Sequence, residues 1–282
     1  MAGPLAPTLA ADLFLPLQEK LLAVLRGLPA GAWDLPTSSP RWRVREIAAH
    51  ILDGQLRRIS AQRDGHMAPP PAAPIRGYGD LVRFLNDLNA GFVETSLRLS
   101  PRVLIELLEW AGPRLEATAR ATDPFGGATF AVSWAGENRS AAWFDLARDL
   151  TEHWHHQQQI RLAAGIPLLL EARYAVPVMD TFARALPFTY RDAAAPDGTS
   201  VEIAIALADA LVRVYTLCRE GRRWLLEEGP TDAPKARISL DGESAWRIFT
   251  GSIPRDEAHR RAMATGDPAL SEPFFGVVAI MK

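Results

Sequence analysis

The segment DLTEHWHHQQQIRLAAG, from Asp149 to Gly165, places Glu152 just ahead of His153, His155 and His156. Imidazole and carboxylate side chains ligate divalent metals and also move protons, so their spacing decides which use is open. Each residue of a helix turns about 100°, which puts Glu152 and His156 on one face, about 40° apart, where both can grip one ion. His153 and His155 point elsewhere, so a single helix does not supply a three-histidine claw. The competing reading is structural. Asp145, Asp149, Glu152, His156 and Gln159 share the side opposite Trp143, Ala147, Leu150 and Trp154, and that side is then a solvated face with an ordinary i,i+4 pair.

A further donor lies upstream. In RWRVREIAAHILDGQLRRISAQRD, His50 sits beside Glu46, Asp53 and Arg57, away from the apolar stripe of Val44, Ala48, Leu52, Leu56 and Ile59. Metal sites in helical bundles are built from inward-facing polar side chains on neighbouring helices. A His, Glu, His set leaves one coordination position open on zinc, and an open position implies chemistry rather than a structural staple.

These donors need helices to carry them, and the first half of the chain reads as helical. Residues Leu9 to Leu28 form a first helix, with Pro16 at its start or at a kink, and Arg41 to Asp64 a second. The proline-rich GHMAPPPAAPIRG is a loop, and Tyr78 to Leu99 a third helix. Ser100 and Pro101 are an N-cap and a first-turn proline for the next helix. After the Gly-containing loop DPFGGATFAVSWAGENRS, the histidine helix runs from Ala141 to Ala164 and stops at Gly165-Ile166-Pro167. Beyond Pro167 the pattern changes to a short helix in EARYAVPVMDTFARAL, a strand in SVEIAIAL and a hairpin turning at Glu220-Gly221. A strand in ARISLD then leads into a helix capped by Asp241 and closed by Gly251, and the amphipathic PALSEPFFGVVAIMK ends the sequence. The reading is mainly α followed by α+β, with a helical bundle over 1–167 and a smaller α+β domain over 168–282.

Composition narrows the function classes. The chain has 282 residues, 48% of them hydrophobic, and its 31 basic and 33 acidic side chains leave a net charge of -2. No basic block is present to neutralise a row of phosphates, so no nucleic-acid partner is expected. No apolar run reaches the roughly 20 residues of a membrane span, and the N-terminus lacks the positive region of a signal peptide, so no membrane partner is expected and the cytoplasm is the expected compartment. The single cysteine, Cys218, excludes a disulfide framework and a Cys-rich zinc ribbon; within the strand VRVYTLCRE it reads as a buried structural thiol.

Three passages in order carry a resemblance: AWDLPTSSPRWRVREIAAH, ending on His50; LNDLNAGFVETSLRLSPRVL; and EHWHHQQ, with Glu152, Trp154, His156 and Gln158. Together they resemble the DinB/YfiT-like metalloenzymes, in the branch around mycothiol-dependent maleylpyruvate isomerase. ARISLDGESAWRIFTGS resembles the sterol-carrier-like domain that follows such bundles. The resemblance implies a DinB-like four-helix bundle with His50, Glu152 and His156 as metal ligands. It implies a divalent metal, zinc or nickel, and a low-molecular-weight thiol such as mycothiol. The ion lowers the thiol's pKa, and the thiolate adds to an unsaturated or electrophilic small molecule, giving an isomerase or an S-transferase. Asp53, His153 and His155 then stand as proton carriers or ligand-orienting groups, and Arg247 or Arg261 as the C-terminal arginine for an acidic substrate. The protein is expected to be a monomer or homodimer. Where similar sequences continue His-Gly-Gln-Asp, this one has His156-Gln157-Gln158-Gln159, without an acidic neighbour. Two other functions share the same first half: a hydrolase using metal-bound water, and a protein that binds metal or a small ligand without turnover.

Overall fold

Pro16 starts the first helix rather than breaking it. It sits in the first turn of α1, Phe14–Gly27, where a backbone N–H would have no intrahelical acceptor. The N–H of Leu15, in the same turn, donates to the Glu116 carboxylate at 3.0 Å, a favourable place for negative charge. The computed structural model describes residues 2–71 and 73–281, and the chain divides into two compact units.

The first unit comprises Leu9–Thr129 and Ala141–Leu168. Its second helix, α2, spans Val44–Asp64; the Arg43 N–H donates to Glu46 at 2.6 Å, and Gly65, with φ of 67°, closes the helix. The predicted loop that follows is irregular in its described residues, Ala72 lying outside them. Then come α3, Tyr78–Ser96, and α4, Pro101–Ala121, whose N-cap is Ser100 with its hydroxyl accepting from the Val103 N–H. The histidine helix, α5, spans Ala142–Ala163. Its first N–H groups donate to Gly126 and Pro124 carbonyls, and Gly165 adopts φ of 66° just past its end. Helices α1, α2, α4 and α5 pack on one another as a four-helix core, while α3 lies against α2. Leu21, Leu25, Ile47, Ile51, Leu108 and Trp154 fill the interior.

One glycine lets α1 and α4 approach. A Cβ on Gly112 would stand 2.7 Å from Cγ of Gln18. That side chain cannot swing aside freely, because its amide donates to the Leu108 carbonyl at 3.0 Å and accepts from Gln55 at 2.6 Å. Gly112→Ala is therefore expected to destabilise the bundle by about 1–3 kcal/mol through overpacking. Thermal unfolding of the variant beside the wild type measures it.

The second unit comprises Met1–Thr8, Phe130–Ser140 and Leu169–Lys282. Its strands are β1 Gly3–Pro4, β2 Ser200–Ala206, β3 Val212–Glu220, β4 Arg223–Glu228, β5 Ala236–Asp241 and β6 Met263–Gly266, in the sheet order β1-β4-β3-β2-β5-β6. The predicted hairpin is β3 and β4, turning at Gly221 with φ of 55°. β2 runs antiparallel to β3 and parallel to β5. The helices are α6 Ala172–Ala183, α7 Leu186–Thr189, α8 Gly242–Phe249, α9 Arg255–Arg261 and α10 Pro268–Ser271. Asp241 caps α8 by accepting from the Ser244 N–H at 2.8 Å, and Gly251 follows its end in the left-handed conformation, as the sequence predicts. Val201, Ile203, Ile205, Ile238, Phe182 and Trp246 are fully buried.

Cys218 departs from expectation. It is half-buried, because alternation along β3 sends its fully buried neighbour Leu217 to the helix-covered face and Cys218 to the other, opposite Ser200 and the exposed Leu225. Among the described residues no helix is long and apolar enough to cross a membrane.

Candidate metal centre

The polar side of α5 is not solvated. Asp145, Asp149, His156 and Gln159 are buried and Glu152 is half-buried, which corrects the reading of this side as a wet face. The physical reason is a counter-charge from α2. Arg58, 3% exposed, donates from Nη1 to Asp145 at 2.6 Å and from Nη2 to the same carboxylate at 3.1 Å, and its Nε lies 3.3 Å from Asp149. A buried carboxylate is tolerable only when paired and hydrogen-bonded. Burial alone raises the Asp145 pKa, and the guanidinium groups of Arg148 and Arg58 reverse that to a net lowering. Arg58 is likewise opposed by burial and held charged by Asp149 and Asp145. This pairing locks α2 against α5.

About two turns before Arg58 on α2, His50 meets the other helix. Its ring centroid lies 4.6 Å from that of His156, with the rings perpendicular. His156 Nε2 is 3.7 Å from a Glu152 carboxylate oxygen, and its Nδ1 is 2.8 Å from Oε1 of Gln159. The structure thus brings His50 of α2 against His156 of α5, with Glu152 beside His156. Burial pushes the His156 imidazole down to about 4, against the opposing Gln159 hydrogen bond. Burial also lowers His50 well below its ordinary value, helped by the nearby His156 and Arg57. Both rings are neutral at pH 7, the form in which histidine ligates metals.

Among the described residues no group of three or more His, Cys, Asp or Glu side chains is already arranged to hold a metal ion. Donors around one tetrahedral ion with the usual bond lengths lie roughly 3.4 Å apart. The 3.7 Å between His156 and Glu152 is a few tenths wider than that. A second observation concerns His50, whose buried Nδ1 has no hydrogen-bond partner. An orphaned imidazole nitrogen, a neutral imidazole and a carboxylate are together a donor set whose chemistry suits a divalent cation.

The other candidates fall in different surroundings. His155 is buried with its ring 4.9 Å from that of His156, and burial, then His156, lowers its pKa strongly. His153 packs edge-on against Phe14 at 5.6 Å, and burial lowers its pKa although Asp149 pulls it upward. Asp53 is buried and ion-paired with Arg57 at 2.9 Å; burial raises its pKa and Arg57 opposes the rise. Arg247 and Arg261 belong to the second unit, where both reach Glu243, at 2.8 and 3.7 Å.

Two neighbours of the trio carried no role in the sequence reading. Trp42 covers the histidines, with ring centroids 4.6 Å from His50 and 6.4 Å from His156. A turn before α2 fixes it, the Thr37 hydroxyl donating to the Trp42 carbonyl at 2.7 Å. Its nearness to His50 in sequence was visible, but no spacing rule distinguishes such a tryptophan from a core one. Gln159 is the other, and its signal was the i,i+3 distance from His156 on one helix.

The family model described as mycothiol maleylpyruvate isomerase N-terminal domain matches residues 14–161, more than half of the 282-residue chain. The chain belongs to this family. Among solved structures, the mycothiol-dependent maleylpyruvate isomerase is 13% identical with a TM-score of 0.52, the match covering 93% of each chain. A mutant of that enzyme with one histidine changed to alanine gives 14% identity and the same TM-score and coverage. At such identity the likeness shows the fold, a DinB-like helical bundle followed by an α+β unit. No curated protein matches the sequence.

Proposed function

We propose that the protein is a divalent-metal-dependent enzyme that activates a low-molecular-weight thiol, mycothiol or a relative of it, for addition to an unsaturated or electrophilic small molecule. The observation that carries this reading is the meeting of His50 with His156, Glu152 standing beside His156 and Trp42 packing on both rings. Membership of the family supports it. A divalent ion on these three side chains, zinc or nickel, would supply an open position at which a thiol loses its proton at neutral pH.

The chain's own residues do the rest. His50 and His156 present neutral imidazoles because burial keeps them uncharged. Trp42 packs against both rings and so helps hold them in place. Cys218 takes no part in this reading: burial, then Glu227 and Glu220, raises its thiol pKa, which disfavours the thiolate. In this reading the attacking sulfur comes from a bound thiol, as membership of the family supports. In the isomerase variant of this reaction the thiolate adds to a conjugated double bond, the new single bond rotates, and the same thiolate leaves. In the transferase variant the carbon–sulfur bond persists and a proton from the medium completes the adduct.

The deciding assay supplies metal, thiol and either maleylpyruvate or a simple electrophile to the purified protein. Turnover needing both metal and thiol supports the reading, with thiol regenerated by an isomerase and consumed one for one by a transferase. Absence of thiol-dependent turnover with every acceptor, in a protein that holds metal, favours binding without catalysis.

Trp42 offers a direct readout of occupancy. Cobalt(II) or nickel(II) is expected to quench its fluorescence, and of the 8 tryptophans it is expected to give the largest metal-dependent change. In Trp42→Phe that change should shrink markedly while metal content stays the same. A quench of unaltered size in Trp42→Phe would place the ion elsewhere.

A further inference from the structure

The hydrogen bond between His156 and Gln159 decides more than packing. An imidazole Nδ1 at 2.8 Å from an amide oxygen is favourable only when that nitrogen carries the proton. Nε2 is then unprotonated, and it is the atom that faces Glu152 at 3.7 Å. In the other tautomer the proton would sit on Nε2, where 3.7 Å to the carboxylate is too long for a hydrogen bond, and the Gln159 amide would have to turn by half a revolution to present its NH2 to Nδ1 in place of the oxygen that stands there.

We infer that Gln159 is the positioning residue of the site, holding the proton of His156 on Nδ1 and leaving the Nε2 lone pair bare toward Glu152. It does for His156 what nothing does for His50, whose buried Nδ1 has no partner. The two imidazoles are therefore unequal. His156 is fixed in ring orientation and tautomer before any ion arrives, whereas His50 is held by a tilted ring contact with Trp42, and no hydrogen bond at Nδ1 sets its tautomer. A further consequence concerns charge. Gln159 is a neutral acceptor, so it orients the ring without the added basicity a carboxylate would confer on the ligand nitrogen.

This inference builds on the metal reading, and its test separates the two. Two-bond nitrogen–proton spectra of the full-length, metal-free protein report which nitrogen of His156 is protonated, the signals being assigned by their absence in His156→Ala. Zinc titration of the same samples reports affinity. The wild type should show His156 protonated on Nδ1. Gln159→Leu should show a mixture of tautomers and bind zinc at least tenfold more weakly, in the range seen when ligand-orienting groups are removed. Gln159→Glu, which keeps an acceptor oxygen in place, should retain the Nδ1 proton and bind zinc at least as tightly as the wild type. A wild-type His156 protonated on Nε2 overturns the inference, and so does either readout left unchanged in Gln159→Leu. Should Gln159→Leu fail to fold, the wild-type tautomer and Gln159→Glu still decide. A wild type that binds no zinc sinks the metal reading alone, because the tautomer of His156 is read in the metal-free protein and tests Gln159 regardless.

Discussion

Purified wild-type protein is expected to carry about one divalent ion per chain, and His50→Ala and His156→Ala to carry almost none, by elemental mass spectrometry. The size of the effect follows from the number of donors. Three side chains from two helices leave one position for a thiol, and a pair from α5 alone leaves an ion mostly hydrated and loosely held. Loss of one ligand should therefore cost well over the roughly 10–100-fold in affinity that removing a ligand-orienting group costs. His50→Ala is the sharper variant, since it leaves the Glu152 and His156 pair of α5 intact and tests whether the helices act together. Thiol-dependent turnover should fall with metal content in each variant. Metal retained in His50→Ala would confine the site to α5, and no metal in any sample after adding zinc or nickel would move the function to non-catalytic binding.

The pairing of donors was legible because helical spacing is a local property. Glu152 and His156 share a face by arithmetic alone, and the caps at Ser100, Gly165 and Asp241 are single residues whose chemistry acts within one turn. The burial of α5 was not legible. Asp145 and Asp149 read as solvated because their partner, Arg58, lies 87 residues away from Asp145 along the chain. Nothing in the local pattern of either helix announces that pairing. The two-residue β1 and the short β6 were missed for a related reason: β1 pairs with β4 and β6 with β5, and contacts between distant segments leave no periodic trace in segments so short. Cys218 was misread because alternation assigns a residue to a face of the sheet without saying how well that face is covered.

Arg58→Ala is expected to be the most destabilising single substitution in the bundle, costing about 3–5 kcal/mol, because it strands buried carboxylates without their charge partner. Asp145 is only 1% exposed and takes two of the guanidinium's hydrogen bonds, while Asp149 stands at ion-pair distance, 3.3 Å, from its Nε. Arg148 still reaches Asp145 at 2.9 Å, so the loss is severe rather than total. Arg58→Lys should recover only part of it, since an ammonium keeps the charge and loses the two-pronged geometry. The pH dependence separates this explanation from a simple cavity. In the wild type the net pKa of both carboxyls lies below the ordinary 3.8. Their contribution is thus fully present above that value and is lost as pH falls through the lower folded-state one. In Arg58→Ala burial dominates and the carboxyl pKa rises instead, so acidification relieves the buried charge and the variant gains stability as pH falls. The gap between the two proteins should be widest near pH 7 and close toward pH 4, as followed by denaturant unfolding at each pH. A gap that stays constant over that range would mean that lost packing, not stranded charge, accounts for the damage. Since Arg58 also fixes α2 against α5, the same variant should bind metal more weakly at pH 7 although every proposed ligand is still present.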